Sequence, residues 1–384
     1  MRTLVVTNDF PPILGGIETF VHALATRLPG DVTVLTRAVP GGDAADATLP
    51  CSVRRVPMSP LLPGPRLAAW VAQTVRDTRA NAVWFASAGP LALLAGAARR
   101  AGASTVVAST HGHETWWAAM PVTRQALRRI ATSVDALTYV SEFTRERIAR
   151  ALPAAAGSRL VRLSPGVDTA VFRPDPLARA EIRRRLGLAD RPVVLSLARL
   201  VTRKGHDRLL QAWPAVSAAH PDAALVVVGE GPRRPAVTAA VQRLGGAASG
   251  VHAVGGVPWV EASDWYAAGD VFAVPTRTRL AGLEAEAFGI CYLEAAAAGL
   301  AVVAGRSGGT PEVVLDGVTG VLVDGRSSTE VAAALNGLLA SPERAARLGA
   351  AGRAAVARRW SWDASAARLT ALLSGEPAAV GGGD

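Results

Sequence analysis

Short runs of valine, leucine and alanine recur along this chain, each stopping at a loop of glycine, serine or proline and giving way to a helix-like stretch. Such runs read as buried strands, and strands alternating with helices build doubly wound parallel sheets. The first run, residues 4–6, leads through Thr7-Asn8-Asp9-Phe10-Pro11-Pro12 and Gly15-Gly16 into a helix expected at 17–28. Further strands are expected at 32–35, 53–56, 82–86, 104–109, 134–140 and 160–163, with helices at 91–100 and 142–152. After Phe172-Arg173-Pro174-Asp175-Pro176, which reads as a linker, the pattern restarts with strands at 192–197, 224–228, 251–254, 271–274 and 300–304. The expected fold class is α/β: two doubly wound, Rossmann-like domains, 1–174 and 175–360, with a ligand cleft between them.

Composition narrows the function. At 384 residues each domain can bury its own core. No apolar run reaches the roughly 18–20 residues of a membrane span, and MRTLVVTNDFPP is too short for a signal peptide. Cys51 and Cys291 fit no metal or redox spacing, so a reducing, cytoplasmic setting is expected. The net charge is +10; residues 1–180 hold 20 Arg against 12 acidic residues, leaving 21 basic and 19 acidic for the rest, so the excess belongs to the first half. That charge suits an anionic partner. With no nucleic-acid motif present, an acidic lipid surface is expected rather than DNA or RNA.

The most informative stretch is 276–309, TRTRLAGLEAEAFGICYLEAAAAGLAVVAGRSGG. Glu286 and Glu294 stand eight positions apart. A helix starting near Ile290 leaves Glu286 in the loop before it and puts Glu294 about one turn inside. The N–H groups of Gly289 and Ile290 then lie at the positive helix end, open to an anion. Two glutamates on a solvated helix face is the plainer reading. It fits poorly, because Ile290, Cys291, Tyr292, Leu293 and an alanine run leave Glu294 almost no polar face. A carboxylate there needs partners, and ligand hydroxyls are natural ones.

Of 41 basic residues, 40 are arginine; the single lysine is Lys204. In a chain whose Arg, Ala, Gly and Val usage is that of a GC-rich genome, a surviving lysine suggests a need for a compact ammonium. Lys204 and Arg199 follow the strand at 192–197, where two cations suit a diphosphate. The opening glycine loop lacks Gly-x-Gly-x-x-Gly, so no nicotinamide or flavin is expected. No Asp-x-Asp pair occurs, so no diphosphate-bridging metal is expected either.

In the first domain, His111 follows the strand at 104–109 and is placed to reach a ligand. A metal reading of His111-Gly112-His113-Glu114 has no companion cluster elsewhere. Arg124, Arg128 and Arg129 lie beside Trp116, Trp117, Met120 and Leu127. This is the composition of an interfacial membrane contact, or of an ordinary solvated helix face.

Arg199-x4-Lys204 followed by Glu286-x7-Glu294, on two α/β domains, resembles the retaining GT-B glycosyltransferases of the family-4 type. The likeness covers essentially the whole chain, including GGIE near the start and SGGTPE after the central stretch. Within the family, THGHETWW, RQALRRI, TYVSEFTRERI and RTRLAGLEAEAFGI are similar to actinobacterial mannosyltransferases that move mannose from GDP-mannose onto phosphatidylinositol monomannoside. The loop LAGLEAEAFGI departs from the more glycine- and aspartate-rich form expected there.

The resemblance implies two domains facing each other across a cleft, with a helix at 361–376 packing back on the first and Trp360 and Trp362 as its candidate anchors or as plain core residues. Gly381-Gly382-Gly383 marks 377–384 as a disordered tail. Arg199 and Lys204 would neutralise the donor diphosphate, and Glu294 would take the ribose hydroxyls. Glu286 would lie by the transferred sugar, with the Phe288, Gly289 and Ile290 backbone holding sugar and phosphate. Gly16 and His111 would approach from the first domain, and Val257 would flank the base. Trp116, Trp117, Arg124, Arg128 and Arg129 would form the acceptor or membrane side, on a peripheral protein of the inner membrane face. The implied product is an alpha-1,6 linkage in phosphatidylinositol mannoside and lipoglycan biosynthesis. A same-fold enzyme acting on a soluble metabolite or another lipid, and a non-catalytic nucleotide-sugar binder, remain alternatives.

Overall fold

The computed structural model describes residues 1–13 and 15–376; the tail expected at 377–384 lies outside the described residues. The chain divides into two compact units, one of Met1–Gly166 with the chain from Trp362 onward, the other of Val167–Ser361.

The first unit is built on seven parallel strands: β1 (Arg2–Val6), β2 (Asp31–Arg37), β3 (Ser52–Val56), β4 (Ala82–Phe85), β5 (Thr105–Ser109), β6 (Ala136–Tyr139) and β7 (Leu160–Arg162). Their order is β3-β2-β1-β4-β5-β6-β7. Both faces of the sheet are covered, so β4 is buried at every position and reads as an unbroken apolar run. Leu4, Val6, Val83 and Phe85 pack with Leu67, Val71, Val75, Leu127 and Ile130 in a single core.

The second unit carries six parallel strands: β8 (Val193–Leu197), β9 (Ala224–Val228), β10 (Val251–Gly255), β11 (Val271–Val274), β12 (Ala301–Gly305) and β13 (Gly320–Val323), in the order β10-β9-β8-β11-β12-β13. Val194, Leu225, Val271 and Val303 share a core with Leu209, Trp213 and Leu335. In both sheets the order reverses beside the first strand. Ligands of such sheets bind at the carboxyl ends of the strands there.

Several boundaries differ from expectation. The helix expected at 17–28 is Gly16–Ala25, and the one at 142–152 is Glu142–Ala149. Ser141 and Thr144 cap the latter reciprocally, which fixes its start. The stretch 91–100 opens as a tight turn, Leu91–Leu94, before the helix Ala95–Arg100. Strand β13 was not foreseen, being four residues that begin with glycine. The first unit ends at Gly166, ahead of the 174 expected. Phe172, expected in a linker, packs edge-on to Tyr266 at 5.6 Å, and Asp175 caps the helix Pro176–Leu186. Trp360 and Trp362 divide between the units: Trp362 meets Phe20 at 6.0 Å in the first, and Trp360 meets Phe288 at 5.1 Å in the second.

Candidate active site

Three loops at the carboxyl end of the second sheet, after β8, β11 and β12, build a charged cluster. The loop after β8 closes with the turn Thr202–Lys204 and Gly205. Gly205 has φ +78, and a Cβ there would lie 2.0 Å from the Pro275 carbonyl oxygen, so only glycine lets the two loops meet. That approach sets Lys204 Nζ 2.9 Å and Arg203 Nη1 2.7 Å from the same Glu286 oxygen, Oε2. Lys204 Nζ is also 3.8 Å from Cys291 Sγ.

Glu286 is 7% exposed. Burial alone would raise the pKa of its carboxyl; Lys204 and Arg203 more than reverse this and hold it below the ordinary value. Its backbone is tied down as well. The N–H donates to Ser307 Oγ at 3.2 Å, and the carbonyl accepts from the Gly309 N–H at 2.9 Å. Two cations against one carboxylate leave a positive excess in a buried place, which suits an anionic ligand.

The helix Ile290–Ala297 starts where expected. Gly289 precedes it in the left-handed region, and no side chain caps its first turn. Glu294, one turn in, accepts a hydrogen bond from the Tyr266 hydroxyl at 2.8 Å. Burial pushes its carboxyl up to about 7, against the pull of Tyr266 and Lys204. Phe288 is buried against Trp360, so its side chain is structural and only its backbone is available to a ligand.

Arg199 is exposed, and its side chain makes no hydrogen bond or ion pair among the described residues. Val257 is half-buried in the loop after β10, where the Gly256 N–H donates to Glu230 Oε1 at 3.0 Å. The structure thus joins Lys204, Glu286, Phe288, Gly289, Ile290 and Glu294 on adjoining segments. It ties neither Arg199 nor Val257 to them by a polar contact. Three participants were missed in the sequence: Arg203, Tyr266 and Arg277. Arg277 bonds Asp207 through both guanidinium nitrogens, at 2.8 and 3.0 Å. Arg203 had the signal of standing next to Lys204; Tyr266 had none.

In the first unit Gly16 is the exposed first residue of its helix, preceded by Gly15 with no side-chain cap. His111 follows β5. Its Nε2 lies 2.5 Å from the Ala86 carbonyl oxygen and its ring meets Phe20 edge-on at 5.0 Å. Burial lowers its pKa, so the ring is neutral and Nε2 carries the proton donated to Ala86. The neighbouring Glu114 is fully buried. It accepts the His111 N–H at 3.0 Å and pairs with His113 at 3.1 Å. The Nε2 atoms of His111 and His113 and the Glu114 carboxylate are thus spent on one another and on backbone. No group of His, Cys, Asp or Glu suited to hold a metal occurs among the described residues.

On the arginine face, two of the three residues also hold backbone while Arg128 and Arg129 stay exposed. Arg124 donates to the Ala118 and Ala119 carbonyls at 2.9 and 3.1 Å, and Arg128 to that of Ala151 at 2.7 Å, so both satisfy carbonyls at or just past helix ends. Arg129 remains exposed and unpaired among the described residues. Trp117 lies half-buried on the core, while Trp116, Met120 and Val122 are exposed.

Residues 14–171 match the family model described as Glycosyltransferase Family 4, and residues 178–355 that of Glycosyl transferases group 1. The chain is similar to the GDP-mannose-dependent alpha-(1-6)-phosphatidylinositol monomannoside mannosyltransferase of Mycolicibacterium smegmatis, at 47% identity over 97% of this chain and 98% of that one. It is 43% identical to the corresponding enzyme for the monoacylated acceptor from Corynebacterium glutamicum, over 98% of each chain. Among solved structures it resembles Anabaena HepE in complex with UDP-glucose, with a TM-score of 0.80 and 21% identity over 98% of this chain and 100% of that one. The sucrose-phosphate synthase of Thermosynechococcus elongatus gives 0.77 and 21%, over 98% and 99%. Those two likenesses concern fold alone.

Proposed function

We propose a function from one premise: the chain belongs to the family 4 glycosyltransferases. It is an enzyme of the GT-B fold class, built on two Rossmann-like units. Its activity is transfer of mannose from GDP-mannose to phosphatidylinositol monomannoside through an alpha-1,6 linkage. The observation that carries this reading is the 47% identity, over essentially the whole of both chains, to a mannosyltransferase of that name.

The roles of the residues are our proposal. Lys204 and Arg199 meet the negative charge of the donor diphosphate and of the departing nucleotide, in place of a metal. Glu294 accepts the ribose hydroxyls, and Glu286 lies by the sugar. Glu286 is a poor nucleophile, because one of its oxygens is already shared by two cations. A covalent glycosyl-enzyme is therefore disfavoured. Instead the acceptor hydroxyl attacks on the leaving group's side, the departing phosphate takes its proton, and an oxocarbenium-like sugar is stabilised electrostatically. In the first unit, His111 and Gly16 are proposed to assist the donor, His111 through the ring nitrogen that Ala86 does not engage.

No helix among the described residues is long and apolar enough to cross a membrane. We propose peripheral contact with an anionic lipid surface, on the cytoplasmic side, through Trp116, Met120, Val122 and Arg129.

The test is transfer from labelled GDP-mannose into phosphatidylinositol monomannoside in mixed vesicles, with UDP-sugars and a soluble acceptor alongside. Lipid-bound product from GDP-mannose alone supports the reading. Transfer from another donor, or to the soluble acceptor only, overturns its specificity. Donor binding without transfer to any acceptor points to a nucleotide-sugar binder.

A further inference from the structure

We propose that Arg203 is a positioning residue for the transfer reaction: it holds Glu286 fixed and ionised once the donor diphosphate draws on Lys204. The proposal rests on the roles given above to Lys204 and Glu286.

In the free protein, Lys204 and Arg203 share Glu286 Oε2, at 2.9 and 2.7 Å. The two cations differ in what else claims them. Lys204 is 8% exposed, at the place proposed for the diphosphate. Its ammonium can donate to several oxygens but brings a single charge. A diphosphate alongside must dilute its hold on Glu286. Among the described residues, Arg203 has Glu286 as its one side-chain partner. Its backbone is anchored independently, since its carbonyl accepts the Arg277 N–H at 2.8 Å and Arg277 is locked to Asp207 by two bonds. Arg203 therefore stays with Glu286 when the donor competes for Lys204.

Remove Arg203, and donor binding leaves a nearly buried carboxylate beside one over-subscribed lysine. The remaining groups offer no substitute. Cys291 and Tyr292, from the helix beyond, are weak acids whose pKa values burial raises, so neither supplies positive charge. Glu286 would then take up a proton or turn away, losing the charge that faces the sugar. The loss concerns the sugar and not the nucleotide, and that separates positioning from phosphate binding.

The experiment compares wild type, Arg203→Met, which keeps the length of the stem, and Arg203→Lys. Carboxyl carbon shifts of glutamate-labelled protein, with Glu286 assigned through Glu286→Gln, are followed against pH in the presence of GDP. Expected is an upward move of the Glu286 midpoint by about one unit or more in Arg203→Met, the size typical of losing a close opposite charge. Arg203→Lys should restore most of it. With GDP-mannose, kcat/KM should fall about tenfold in Arg203→Met and its acid limb should move up in pH, while GDP affinity stays within about twofold. An unmoved midpoint overturns the proposal. So does a fall in GDP affinity that parallels the fall in kcat/KM, which would make Arg203 a phosphate ligand. If wild type fails to use GDP-mannose, the functional reading fails, and the carboxyl titration still decides the role of Arg203.

Discussion

The Tyr266 hydroxyl donates to Glu294 Oε2 at 2.8 Å, from a phenol that is itself fully buried. A carboxylate proposed to read the ribose is thus held from behind by a residue 28 positions away in the chain. Its carboxyl, pushed up by burial to about 7, changes charge near neutral pH.

Ribose hydroxyls donate to the ionised form, so GDP affinity should rise as pH goes from about 6 to 8 and then level off. Glu294→Gln should abolish that dependence and weaken binding roughly tenfold at pH 8, the scale of a hydrogen bond to a charged group. Tyr266→Phe removes a donor to the ionised form, so the midpoint should move to higher pH. Calorimetric titration across pH decides it; a flat wild-type profile would exclude Glu294 from ribose binding.

Lys204→Ala should lower turnover by ~10²-fold or more, as expected for losing a preorganised charge at a leaving group. Chelation with EDTA should leave wild-type turnover unchanged if Lys204 and Arg199 do the work of a metal. Initial rates with and without chelator check both statements.

The pair formed by solvent-accessible His113 and fully buried Glu114 should make stability depend on pH at both ends. Burial alone would lower the His113 pKa, but Glu114 overrides it and lifts the ring from an ordinary 6.5 to about 9. The stability from that shift is complete below 6.5 and is lost as pH rises toward 9. Glu114, pulled down to about 2 by His113 against its own burial, loses its contribution as pH falls from 4.5 toward 2. Scanning calorimetry should show a lower Tm at pH 9.5 than at 6.5, and Glu114→Gln should flatten the difference.

On the surface of the first unit, two arginines close in sequence should behave differently. Arg124→Ala removes a guanidinium that satisfies two helix-end carbonyls, so the Tm should fall. Arg129→Ala should leave the Tm in place and weaken binding to vesicles containing phosphatidylinositol by roughly fivefold, about 1 kcal/mol per surface cation. Trp116→Ala should weaken the same binding with less sensitivity to salt. Vesicle sedimentation and calorimetry on the three variants separate these effects.

The sequence by itself determined whatever depends on neighbouring residues. Valine-rich runs announced every strand of the two sheets except β13, and the linker at 172–176 was located to within a few residues of the change of unit. Gly289 followed by Ile290 marked a helix start, which put Glu286 and Glu294 in their places relative to it. The lone lysine pointed to Lys204. Only the tertiary structure decided the pairings. Arg203 and Glu286 are 83 positions apart, and they meet because the sheet sets the loop after β8 beside the loop after β11. The same holds for Tyr266 under Glu294, and for the backbone carbonyls that Arg124 and Arg128 reach, which helical spacing alone does not show. Strand and helix signals are periodic and local. The partner of a long charged side chain depends on which loops the crossovers bring together, and no period in the sequence records that.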